Sequence, residues 1–173
     1  MIDVNDIEIL RKDAFRVDRE SYSELMSSSV HNNEKRIYTS PESIGNCAYI
    51  LIKKGVNLDG AMLDTAKMYG TVLSNISFKK TSLSGADFKG VTLSNVSFFG
   101  ATLSYANFEN ANLQEVDFSQ AIIQKTNFVN ANMDNKTIES IAKSQYWGSA
   151  KLSDSQRSKV EKAYQKAGTL NVS

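Results

Sequence analysis

Hydrophobic residues recur at every fifth position through the middle of this chain. In "SLSGADFKGVTLSNVSFFGATLSYANFEN", residues 82–110, Leu83, Phe88, Leu93, Phe98, Leu103 and Phe108 hold these places. The series begins at Leu58 and runs through Leu63, Met68, Leu73, Phe78 and onward to Phe118, Ile123, Phe128 and Met133, without a polar residue. Two residues before each centre stands a smaller residue, Ala61, Ala66, Ala101, Ala106, Ala111 and Ala131 among them, and the intervening positions are mostly Ser, Asn, Asp, Lys, Gly or Thr. A five-residue period suits neither a helix nor a flat strand. Two residues facing in and three facing out require a turn in every unit, so the pattern predicts a chain that winds around a narrow prism and stacks each coil on the last.

The number of sides is legible too. The large β-branched residues Val56, Ile76, Val96 and Val116 occupy small-residue positions at intervals of twenty, which predicts four units per coil and four coils. Phe78, Phe98 and Phe118 then stack on one side, Phe88, Phe108 and Phe128 on the opposite side, with Leu58 in the first coil of the core. The same register sets Asp59 over Lys79, Lys67 over Asp87 and Lys89 over Glu109, opposite charges on neighbouring coils. The glycines Gly60, Gly70, Gly85, Gly90 and Gly100 fall two after a centre, where the turn needs conformational freedom.

"ANFENANLQEVDFSQ", residues 106–120, closely matches the loose pattern A(D/N)LXX, and the block from 56 to 136 resembles the pentapeptide-repeat family. The resemblance implies a right-handed quadrilateral parallel β-helix, an all-β solenoid of four coils with flanking capping helices. It implies little about activity, since the family includes topoisomerase-protecting proteins, modules of secreted bacterial effectors and cyanobacterial regulators.

Outside the repeat the period changes. Val4, Ile7, Leu10, Ala14 and Val17 suggest a helix in an N-terminal segment, residues 1–39, that ends in a polar linker. In residues 40–55 Ser40 can cap a helix, Pro41 takes its first position, Ile44, Ala48, Leu51 and Ile52 form an apolar side, and Gly55 closes it. That helix is the expected N-terminal lid, because the end of a solenoid exposes unpaired backbone groups. Residues 137–173 should form the other lid. Ile138, Ile141 and Ala142 suggest a short helix; Ser153 and Gln156 form a capping box for a second, with Val160, Ala163, Tyr164 and Ala167 along one side and Gly168 at its end.

Composition removes most chemistry. The chain has 173 residues, 20 basic and 19 acidic, and residues 56–136 hold seven acids against six lysines, so no global field points to an anionic partner. A single histidine, His31, excludes a histidine-rich metal site, and the single Cys47, beside the apolar run from Ala48, reads as a buried thiol. Asp59 and Asp64 lie on adjacent outer faces with no group nearby to tune them, so they read as solvated carboxylates. No phosphate-binding glycine motif is present, and no cofactor, metal or small-molecule substrate is implied. "CAYILI" is too short to span a bilayer and the acidic N-terminus is unlike a secretory signal, so cytoplasmic residence is the default expectation, with non-classical secretion into a host cell as the effector-like variant.

The expected function is therefore a non-catalytic protein–protein interaction scaffold, of bacterial effector type. The alternative is a DNA-mimicking protector of type II topoisomerase, against which the near-neutral repeat and the absence of inserted loops both argue. Direct nucleic-acid binding is opposed by the scatter of basic and aromatic residues. The repeat does not require outward aromatics, so Tyr69, Phe99 and Tyr105 are candidate partner residues. Lys159, Lys162 and Tyr164 on the basic last helix are the others, toward another protein or a second copy.

Overall fold

The computed structural model describes residues 58–169. Residues 58–133 form a right-handed quadrilateral parallel β-helix whose coils follow one another at intervals of twenty residues. One side carries a four-stranded parallel sheet in the order β1 (Val72–Ser77), β2 (Thr92–Ser97), β3 (Asn112–Gln114) and β4 (Asn132–Met133). The other sides are joined by shorter bridges, such as Ser82 to Thr102 and Asp87 to Asn107. Two helices follow, α1 (Asn135–Ala142) and α2 (Asp154–Thr169). The two expected N-terminal helices, including the lid at 40–55, lie outside the described residues.

Five residues make one side because each corner is a tight turn. At most corners the small residue donates its N–H to the carbonyl of the preceding centre, as from Ala101 to Phe98 at 2.9 Å and from Ala106 to Leu103 at 2.9 Å. The residue two after the centre takes positive φ, from Gly60 to Asn130, the third-position conformation of a type II turn. Glycine fits without penalty, as at Gly85 with φ of +67°; Thr65, β-branched and at +61°, is held there against its own preference.

One corner differs. β1 and β2 run through it, Ile76 pairs with Val96 in register, and the N–H of Val116 goes to the Thr137 hydroxyl on the next level. Ladder pairing continues through this corner although Asn75 and Asn95 keep positive φ, and Ile76 and Val96 sit within β1 and β2, where β-branched side chains are favoured.

The centres fill the axis and are fully buried from Leu58 to Phe128. Phe78, Phe98 and Phe118 stack with centroids 5.3 Å apart, Phe88 and Phe108 at 4.7 Å, and Phe108 and Phe128 at 5.3 Å. The two columns meet edge to face, as at Phe98 and Phe108, 5.8 Å apart at 80°. Each such contact adds about 1 kcal/mol beyond area burial. Two inward polar residues are satisfied by main chain: the hydroxyls of Thr81 and Thr126 donate to Leu58 O and Leu103 O.

Outside, Lys89 and Glu109 form the expected ion pair at 3.4 Å. Asp59 meets position 79 through the backbone, its carboxylate accepting from the Lys79 N–H at 2.9 Å and from the Ser77 hydroxyl at 2.6 Å. The twenty-residue register holds there, with the contact to position 79 made to main chain. Asp87 likewise accepts from the Lys89 N–H and from Asn107 Nδ2.

Candidate functional site

The C-terminal end of the solenoid carries the only described structure that the repeat does not dictate. Its first task is to satisfy the last coil. Asp134 caps α1, accepting from Thr137 N–H at 2.9 Å and from Glu115 N–H at 3.0 Å. Burial raises its pKa, but the Thr137 and Glu115 hydrogen bonds and nearby Lys136 outweigh that and hold it below the usual aspartate value. Along α1 the hydroxyl oxygens of Thr137 and Ser140 accept from Val116 N–H and Phe118 N–H, each at 3.0 Å. The chain then drops back into β-like pairing: Gln145 bridges to Ile122 and Lys151 to Asn127, while Ser149 Oγ accepts from Lys125 N–H.

α2 finishes the closure. Ser153 and Gln156 make the reciprocal capping box, and Gln156 Nε2 donates to Phe128 O at 2.8 Å and Ala131 O at 2.9 Å. Arg157 Nη2 donates to Ala150 O, and Val160 is wholly buried with Ile138, Ile141 and Ala142. The helix runs through Thr169, so Gly168 lies within its last turn and does not end it.

The outer side of this cap presents aromatic rings. Tyr146, with φ of +61°, and Tyr164 are 61% and 55% exposed, and between them Trp147 is partly buried against the core. The Trp147 and Tyr164 rings touch, with centroids 5.5 Å apart. Such rings offer large apolar area at low entropic cost.

The other candidate residues do not join this cluster. Tyr69, Phe99 and Tyr105 are exposed at three different corners, and the ring of Tyr105 lies 5.4 Å from Lys125 Nζ. Lys159 and Lys162 are exposed on α2, but Lys162 projects about 200° around the helix from Tyr164. Sequence reasoning missed Tyr146 and Trp147. Their signal was the adjacent aromatic pair in "SQYWGS", the site of the chain's only tryptophan, placed between two predicted helices. An open cleft of about 350 Å³ lies beside α1, but it is lined by mixed charges, including the Glu115–Lys136 pair at 3.0 Å. Among the described residues no group of three or more His, Cys, Asp or Glu is placed to hold a metal ion, and no helix is long and apolar enough to cross a membrane.

These features define a short parallel β-solenoid closed at its C-terminal end by helices. Residues 71–142 match the family model described as a pentapeptide repeat region. Among solved structures it is similar to a pentapeptide repeat protein, Rfr23, of the cyanobacterium Cyanothece 51142, with 26% identity over 57% of this chain and 61% of that one, at a TM-score of 0.44. A pentapeptide repeat protein of the Arabidopsis thaliana thylakoid lumen shares 29% identity over 61% of this chain and 78% of its own, with a TM-score of 0.38. HetL of Nostoc sp. strain PCC 7120, a pentapeptide repeat protein involved in heterocyst differentiation regulation, shares 27% over 46% of this chain and 35% of its own, at 0.33. The chain thus spans about three fifths of the Cyanothece protein. Comparison with curated proteins gives no match.

Proposed function

We propose that this chain is a non-catalytic scaffold that docks another protein on the aromatic side of its C-terminal cap, through Tyr146, Trp147 and Tyr164. The observation that carries the reading is the Trp147–Tyr164 contact: two large rings meet at the surface, where a repeat cap needs only backbone partners. Tyrosine and tryptophan are the side chains most often found as energetic anchors of protein interfaces, and a preformed pair loses little freedom on binding. Lys159 and Lys162 lie on another side of α2 and serve at most as a charged rim.

The test is photo-crosslinking from position 146 in cells, with the captured protein then purified and its affinity measured. Tyr164→Ala should weaken binding at least tenfold, while Phe99→Ala and Tyr69→Ala should leave it unchanged. Equal affinity for all three variants would refute the site, and turnover of a substrate by the purified chain would refute the scaffold reading. Partner identity separates the narrower readings: a host-cell protein supports the effector type, and a type II topoisomerase the protective one.

A further inference from the structure

One corner of the solenoid runs directly into the aromatic side of the cap. The Tyr105 N–H goes to Gln124 O one coil up at 2.9 Å, and at the next level the Lys125 N–H goes to the Ser149 hydroxyl oxygen at 3.2 Å. The short 3₁₀ turn Trp147–Ser149 therefore takes the place of a further coil at this corner. Arg157 of α2 lies against that turn, its Nη1 and Nη2 donating to Gly148 O at 3.4 Å and Ala150 O at 2.9 Å. Tyr164, seven residues on and so on the same side of α2, meets the Trp147 ring. Along the corner the order is ring, cation, ring, cation, ring: Tyr105, Lys125, Trp147, Arg157, Tyr164.

The two cations retain binding capacity. The Lys125 ammonium lies 5.4 Å from the centroid of the Tyr105 ring, within cation–π range, and Arg157 directs only part of its fork at carbonyls. Among the described residues neither has a carboxylate within ion-pairing distance. Tyr105 is 60% exposed, and Lys125 is exposed above it. We propose, building on the docking reading above, that this corner binds an acidic, extended segment of the partner protein, with carboxylates at Lys125 and Arg157 and apolar side chains against the rings. Charge complementarity selects the acids, and the linear order of rings and cations up the stack selects an extended segment. Glu161, one turn beyond Arg157 on α2, opposes a continuous run of phosphates, so a peptide fits this row better than a nucleic acid.

Two variants of the full chain test this, one with a photo-reactive phenylalanine in place of Tyr105 and one with it in place of Tyr146. Both should capture the same protein in cells, and mass spectrometry should place the position-105 adduct in a segment where Asp or Glu alternates with apolar residues. With that partner purified, Lys125→Glu should weaken binding at least about tenfold, and Lys125→Arg should leave it near native. Glu115 holds φ of +55°, the value found at Lys125, so the corner accepts glutamate and the thermal midpoint should not move. Capture from 146 without capture from 105, or equal affinity of Lys125→Glu and the native chain, would overturn the extension and leave docking at the cap standing. Capture from neither position would overturn both. A position-105 adduct with nucleic acid, with a second copy of this chain or with a segment lacking acids would also overturn the proposal.

Discussion

The middle coils and the C-terminal cap solve the same problem with different atoms. In the coils, an upward-pointing N–H such as that of Phe98 finds a carbonyl one coil above, Asp117 O at 2.8 Å. One coil later Phe118 N–H finds the hydroxyl of Ser140, and Val116 N–H that of Thr137. Main-chain pairing works for any sequence that keeps the turn, so the coils tolerate wide variation outside and demand only inward bulk. Side-chain capping depends on individual residues. The difference teaches where the molecule is robust and where it rests on single atoms.

The coils break only from within. Phe98 stacks on Phe78 and Phe118 and meets Phe88 and Phe108 edge on, so Phe98→Asp buries an unpaired charge among four rings. The expected cost is about 4 kcal/mol or more, enough to prevent folding of a marginally stable domain. Ser97→Asp, one residue away and facing outward, should shift the thermal midpoint little. Similar midpoints for the two variants by circular dichroism would contradict the assignment of inward and outward faces.

The cap breaks at its hydroxyls. Ser140→Ala removes the acceptor for Phe118 N–H and the donor beside Val116 O, leaving buried groups unpaired at a cost of about 1–3 kcal/mol. Thr126→Ala is the matched change in a coil: it also deletes a buried hydroxyl, but alanine is the usual residue at that position, so it should cost under about 1 kcal/mol. Urea unfolding that ranked the two alike would remove the distinction between main-chain and side-chain closure.

The same distinction explains what could be read in advance. Leu58 through Met133 were legible as centres because every coil imposes the same steric demand at the same place, and repetition amplifies a weak local signal. The Ser153–Gln156 capping box and the α1 apolar residues Ile138 and Ile141 were legible as local helix grammar. Thr137, Ser140 and Ser149 carried no signal, because a hydroxyl that caps a sheet edge twenty or more residues away looks like any polar residue. Tyr164 was legible as a candidate, but its contact with Trp147 was not: the two are seventeen apart and meet only because the chain re-enters β-pairing at Gln145 and Lys151.

Corners offer a smaller test. Gly85 has φ of +67°, and an added Cβ would find only Thr65 Cγ2 at 3.6 Å, an ordinary contact. Backbone conformation and not space therefore sets the cost of Gly85→Ala, about 1 kcal/mol. Asn110 holds the same conformation at another corner with φ of +57°, so Asn110→Gly should be nearly neutral. If Gly85→Ala proved as neutral as Asn110→Gly, the corner would not select against a Cβ.

The smallest effect should appear with pH at the junction of the two regions. Asp134 ends the last coil and begins α1. Burial raises its pKa, and the hydrogen bonds from Thr137 and Glu115 with the Lys136 charge depress it further than burial lifts it, leaving the folded value below the usual one. A depressed folded pKa means that the unfolded chain binds the proton more tightly, so the ionised cap stabilises the fold above the unfolded value. That contribution declines as pH falls from the unfolded pKa through the folded one, below about pH 4. Asp134→Asn keeps a capping oxygen but cannot titrate. The stability difference between the native chain and this variant, measured by urea unfolding from pH 7 to pH 2, should therefore shrink on acidification, and the change should be confined to the acidic end. A difference constant over that range would show that the carboxylate charge adds nothing to the cap beyond its hydrogen bonds.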